Sequence, residues 1–145
     1  MKLIFKKICI ASDHAGFKLK EKIKDFLIKN NVSLIDLGPF KTGSVDYPLY
    51  AKKVANRVKT KKSDVGILVC GSGTGMAISA NKIKGIRAAV CYNKKSTSLS
   101  RQHNNANIIA MGSRITKKGD AIKLVSLFLK TKFQGGRHLR RIRKI

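Results

Sequence analysis

The sequence predicts an α/β domain built on a five-stranded parallel sheet with helices on both faces. Five short strand signals recur along 145 residues, and the segments between them carry helical spacing or turn residues. The central signal, Val65-Gly66-Ile67-Leu68-Val69, is nearly continuous in apolar residues, the pattern of a parallel strand buried on both faces. A hydrophobic fraction of 43% in a chain of this length suits one domain with one substantial core.

The first strand is expected over Lys7–Ser12. Phe17, Leu19, Ile23, Phe26 and Leu27 then supply the apolar face of a helix whose other face is lysine-rich. A second strand covers Ser33–Leu37. Pro48 fits the first turn of a helix running to about Lys59, with Tyr50, Ala51, Val54 and Val58 turned inward. After the third strand, Val65–Val69, the run from Met76 to Lys82 can begin a helix, followed by a strand at Ile86–Cys91. A helix from Asn93 to Arg101, a strand at Asn107–Met111 and a helix from about Lys117 to Leu129 complete the alternation. Residues 130–145 are strongly basic and leave two readings open. They form a solvated tail, or a segment anchored by Phe133, Leu139 and Ile142.

Composition narrows the function classes. No apolar run approaches the ~20 residues of a membrane span, and Lys6-Lys7 interrupts the only signal-peptide-like core, so a soluble cytoplasmic protein is expected. Cys9, Cys70 and Cys91 show no C-x-x-C pairing, which argues against a disulfide framework or a zinc site. Cys9 and Cys91 read as small buried hydrophobes. The formal charge of +25 raises the question of a nucleic-acid partner. The lysines, however, are spread over nearly every expected helix (Lys18, Lys20, Lys22, Lys24; Lys52, Lys53; Lys117, Lys118, Lys123), with few aromatics beside them. That is the distribution of solvated helix faces; it predicts non-specific polyanion binding at low salt and no specific nucleic acid.

The segment Cys70-Gly71-Ser72-Gly73-Thr74-Gly75 links the third strand to the next helix. Such a junction presents unpaired backbone N–H groups and the positive end of a helix dipole, which suit a phosphate or a developing oxyanion, although the same glycines also make a plain tight turn. A nucleotide P-loop is excluded because Met76 and Ala77 stand where it needs Lys and Ser or Thr. The dinucleotide fingerprint fails too, since the glycines fall at Gly71, Gly73 and Gly75. In open parallel sheets, ligands gather beyond the carboxyl ends of the strands. Four segments converge there: Asp13-His14, the Cys70 loop, Arg101 to Asn104, and Gly112-Ser113-Arg114.

The motifs go further together. Ser12-Asp13-His14-Ala15-Gly16-Phe17, Asp46-Tyr47-Pro48, Cys70 to Gly75, Ala80-Asn81-Lys82 with Gly85-Ile86-Arg87-Ala88, Ser100-Arg101-Gln102-His103-Asn104, Gly112-Ser113-Arg114 and Gly135-Gly136-Arg137-His138 stand in the order found in one family. From Lys7 to Arg141 the chain resembles the type B ribose-5-phosphate isomerases, a group that also holds galactose-6-phosphate isomerase subunits. The resemblance implies a Rossmann-like three-layer α/β/α sandwich with strand order 2-1-3-5-4. It implies a single domain over residues 1–145, with 130–145 completing the site and the dimer.

It also implies an aldose–ketose isomerisation of D-ribose 5-phosphate and D-ribulose 5-phosphate, by ring opening and proton transfer through an enediolate. Some family members use a cysteine before the glycine loop as base and others a glutamate just after it; Cys70 with Met76 places this chain in the cysteine branch. A free cysteine, with pKa ~8.5, is only a few per cent ionised at pH 7, so Cys70 needs local stabilisation of its thiolate. The resemblance makes the N–H groups of Gly71, Ser72, Gly73, Thr74 and Gly75 the oxyanion and substrate cradle, with Ser72 bonding a hydroxyl or orienting the thiol. His103 is assigned to ring opening, and with Asn104 it reaches the active site of a partner subunit in a homodimer or tetramer. Asp13 holds or relays hydroxyl protons, although an aspartate there serves equally as a helix cap. His14, Arg114, Arg137 and Arg141 hold phosphate and sugar oxygens; His138 has no assigned role. No metal, nucleotide or redox cofactor is implied. The rivals are isomerases of six-carbon sugar phosphates, allose or galactose 6-phosphate, and, from another class, a basic nucleic-acid-binding module.

Overall fold

A computed structural model describes all residues, 1–145. Five strands, β1 (Ile8–Ser12), β2 (Leu34–Asp36), β3 (Val65–Cys70), β4 (Ala88–Val90) and β5 (Ile108–Gly112), form one parallel sheet in the order β2-β1-β3-β5-β4. Helices α1 (Phe17–Lys29), α2 (Tyr47–Lys59), α3 (Thr74–Asn81), α4 (Lys94–Gln102), α5 (Lys118–Lys130) and α6 (Arg137–Ile142) complete the chain. The α/β/α sandwich and its strand order are those the resemblance implied. No helix is long and apolar enough to cross a membrane.

The strands sort their side chains by size between two cores. On the side of α1 and α5, Ile8, Ile10, Ile67, Val69, Ile109 and Met111 meet Ile23, Leu27, Val125 and Phe128. On the side of α2 and α3, the strand residues are mostly small, Cys9, Ala11 and Ala110, and meet Ala51, Val54, Ala55 and Ala80. Gly66 belongs to that side, where a Cβ would run into the Val54 side chain. Alternating large and small residues thus give the two helix layers different surfaces to pack on.

The outer strands, β2 and β4, are three residues each, shorter than the expected Ser33–Leu37 and Ile86–Cys91. Each pairs on one side only, so fewer ladder bonds hold its ends. On the open side of β4, the Asn81 amide donates to Ala88 O at 2.9 Å and accepts from Ala88 N–H at 2.7 Å. Helix α3 starts at Thr74, two residues before the expected Met76, because left-handed Gly73 (φ 83°) turns the chain into it.

Lys20 departs from the solvated-lysine reading. It is fully buried, and its Nζ donates to both Asp36 carboxylate oxygens at 2.9 and 2.7 Å and to Pro39 O at 2.9 Å, with Glu21 at 3.0 Å. Burial works against ionisation of Asp36 and Glu21, but the Lys20 and Lys24 hydrogen bonds outweigh it and hold both carboxyls below their ordinary values. A buried ammonium is tolerated only when paired and hydrogen-bonded in this way. The basic C-terminal segment also takes the anchored reading. It folds back, Gln134 N–H donating to Gln102 O at 3.0 Å, and forms α6 with His138 buried and Phe133, Leu139 and Ile142 half-buried.

Candidate active site

The carboxyl ends of β1, β3 and β5 are neighbours in the sheet, so the loops that follow them meet. Asp13, Tyr47, Cys70, Gly71, Ser72, Gly75, Arg114 and Ile115 line a cavity of about 400 Å³ there. Cys70 closes β3 with a buried free thiol, and the Gly73 N–H donates to its Sγ at 3.0 Å. The bond depends on Gly73, whose positive φ and approach to the Met111 main chain leave no room for a Cβ.

The cradle is narrower than the sequence implied. Thr74 N–H is engaged by Ser72 Oγ at 3.3 Å, and Gly73 N–H by the thiol. The N–H groups of Gly71, Ser72 and Gly75 have no hydrogen-bond partner within the chain. Arg114, from the turn after β5, lays its guanidinium against Gly71, and its own N–H donates to Gly71 O at 3.0 Å. Met76, at the position of the alternative base, is fully buried in the core.

Asp13 serves both readings made of it. Its Oδ1 accepts from Gly16 N–H at 2.9 Å, holding the entry to α1, and its side chain lines the cavity. His14 does not line it; that ring is exposed, with Nδ1 within 3.3 Å of the Val45 main chain. Thr74 is exposed and outside the lining as well. Tyr47 was quoted in a motif but given no role. The structure places its ring against Gly75, where an added Cβ would meet it at 2.8 Å, and in the cavity lining. Its signal was the helix-starting Tyr47-Pro48, which puts that ring at the mouth of α2.

The remaining candidates form a second cavity of about 280 Å³, lined by His103, Asn104, His138, Arg141, Ile142 and Ile145. It shares no residue with the first. The His103 and His138 rings are stacked, with centroids 4.1 Å apart and an interplanar angle of 11°. Burial, then the neighbouring charges of His103, Arg137 and Arg141, push His138 below the ordinary histidine pKa. Arg137 opens α6 and is exposed, outside the lining. No group of three His, Cys, Asp or Glu side chains able to hold a metal ion occurs in the chain.

Residues 8–145 match the Ribose/Galactose Isomerase family. The ribose-5-phosphate isomerase B of Escherichia coli K12 is 44% identical over 140 residues, covering 97% of this chain and 94% of its own. A solved ribose-5-phosphate isomerase B from Clostridium thermocellum superposes with a TM-score of 0.94 at 49% identity, over 95% of this chain and 93% of that one. A Mycoplasma genitalium enzyme of that name, solved with bound ribulose-5-phosphate, has a TM-score of 0.91 at 45% identity, over 95% of this chain and 92% of that one.

Proposed function

The chain belongs to the ribose/galactose isomerase family, and on that premise we propose how it interconverts D-ribose 5-phosphate and D-ribulose 5-phosphate: Cys70 moves the carbon-bound proton, and a histidine of a second subunit opens the ring. The observation that carries this reading is the Cys70 thiol itself. It is buried, hydrogen-bonded by Gly73 N–H at 3.0 Å, and set in a cavity with Asp13, Ser72 and Arg114.

In the open-chain aldose, Cys70 thiolate takes the C2 proton, and the electron pair moves through the C1–C2 bond onto O1, giving an enediolate. The unpartnered N–H groups of Gly71, Ser72 and Gly75 are the donors available to that oxygen. One such donor is worth roughly 3–4 kcal/mol in comparable sites. A proton passes from O2 to O1 through Asp13, whose Oδ1 is held by Gly16 while Oδ2 is left for the hydroxyls. Cys70 then returns its proton to C1, leaving the ketone at C2. Arg114 holds the phosphate; His14, outside the cavity lining, is given no part in the step.

Ring opening needs a proton removed from the anomeric hydroxyl and one delivered to the ring oxygen. His103 supplies both, with Asn104 and Arg141 beside it in the cavity and Arg137 at the start of α6, outside the lining. These residues lie in a cavity separate from Cys70, which supports a site shared between two chains: the His103 corner of one completes the Cys70 cavity of the other.

A coupled assay of ribose 5-phosphate conversion, with EDTA present, tests the assignment on wild type and Cys70→Ala. The variant is expected to lose about 10²- to 10⁴-fold in turnover. It should also lose deuterium exchange from solvent into C1 of ribulose 5-phosphate. Full activity in Cys70→Ala would remove the base assignment.

A further inference from the structure

His103 and Asn104 ride on a turn that two arginines grip from behind. Helix α4 ends at Gln102, and the chain swings toward β5 through Asn105, whose φ of 45° lies in the left-handed region. The turn gathers main-chain carbonyls on one side. Arg87 donates through Nε to Asn104 O at 3.0 Å and through Nη2 to Asn105 O at 3.1 Å. Arg101 donates to Asn105 Oδ1 at 2.8 Å, to Ala106 O, and to Thr131 O at 3.2 Å.

Neither guanidinium meets a carboxylate; the ion pairs of the chain all involve lysines. Two cations thus face carbonyl dipoles at close quarters. Burial, with the Arg87 charge added, brings Arg101 down to about 10, and burial lowers Arg87 as well. Such an arrangement is electrostatically unfavourable compared with a carboxylate pairing, and it has one geometric merit. A planar fork bonded to two successive carbonyls fixes their separation and tilt, which a lysine ammonium cannot do.

The two arginines differ in their other surroundings. Arg101 is 3% exposed and packs between Phe5 and Phe128, so it belongs to the core. Arg87 is half-buried, stands just before β4, and directs its guanidinium at the turn alone. We propose that Arg87 is a positioning residue for ring opening: its fork on the Asn104 and Asn105 carbonyls sets the His103–Asn104 pair at the distance the sugar ring requires. This rests on the assignment of ring opening to His103.

The test separates the two half-reactions in Arg87→Lys, Arg87→Ala and His103→Ala. Conversion of ribose 5-phosphate, which is cyclic, needs ring opening. Solvent-deuterium exchange into C1 of ribulose 5-phosphate, which has no furanose form, needs only the enediolate step. Arg87→Lys is expected to lose roughly ten- to a hundredfold in conversion, the scale of a misplaced catalytic group, and to keep exchange within about twofold. Ethylguanidinium added to Arg87→Ala should restore part of the conversion without raising exchange. Unchanged conversion in Arg87→Lys, or equal loss of both reactions with no rescue of Arg87→Ala, overturns the proposal. If His103→Ala shows the split and neither Arg87 variant does, the positioning role alone fails. If His103→Ala loses both reactions equally, the ring-opening assignment falls and the positioning role falls with it.

Discussion

The Cys70 cavity sets unpartnered main-chain N–H groups among the side chains of Asp13, Tyr47, Cys70 and Arg114, whereas the His103 cavity gathers two histidines, Asn104 and Arg141 with no glycine loop among them. In the first, three central strands deliver their ends side by side, and the loop after β3 offers N–H groups whose directions follow from the backbone. In the second, a stacked histidine pair and Arg141 come from a helix end and the chain's last helix. The difference teaches that the two steps proposed for these cavities would draw on different materials. Peptide donors reorganise little during reaction, whereas imidazoles and guanidiniums stand on side chains that can turn.

Mixing is the most severe way to break this comparison. Cys70→Ala and His103→Ala chains are each expected to be nearly inactive. After unfolding and refolding together in equal amounts, a shared site predicts recovery to about a quarter of wild-type activity, since half the dimers pair unlike chains and each of those has one intact site. No recovery would place His103 and Cys70 function within one chain.

Gly73→Ala probes the Cys70 cavity alone. The added methyl meets the Met111 backbone at about 3 Å, at a φ of 83°, so the loop must shift and the hydrogen bond to Cys70 Sγ is disturbed. Turnover should fall by about 10²-fold or more, with deuterium exchange falling in parallel. Retained exchange would show that the Gly73 donor is dispensable to the thiolate.

The smallest effect belongs to the His103 cavity. His138 is held below its ordinary pKa by burial and by His103, Arg137 and Arg141. The folded chain therefore resists protonating it, so its contribution to stability is fully present above the unfolded value, ~6.5, and is lost as pH falls below it. Urea midpoints should drop slightly between pH 7 and pH 5.5, and His138→Gln should flatten that difference. An unchanged slope in the variant would assign the effect elsewhere.

Legibility followed the same division. Strand alternation, the Cys70 loop and its helix were readable because periodicity and glycine chemistry act over a few residues. The rule for carboxyl ends of parallel strands brought Asp13, Cys70 and Arg114 together, but not His14 or Arg101 to Asn104; that last segment precedes β5, and His103 and Asn104 line the separate cavity. The roles of His103, Asn104 and Arg141 came only through resemblance, since a helix-terminal histidine and a basic tail have no periodic signature. Lys20 was misread because helix position shows which way a side chain leaves the axis; it does not reveal that Asp36 and Pro39 wait at its tip. Arg87 was quoted within a motif but given no role, for a related reason: its partners are carbonyls, and no sequence pattern marks a carbonyl as needing an arginine.

The amide of Asn81 against Ala88 has a bearing on how copies of this chain meet. Only alternate peptides of an outer strand face outward, and in so short a strand Asn81 takes the first of them. A newly made chain with β4 exposed therefore has almost no template on which another chain's strand could zip. One of the two sheet edges is thus closed to strand-by-strand pairing, and the risk of fibrous misassociation is lower there.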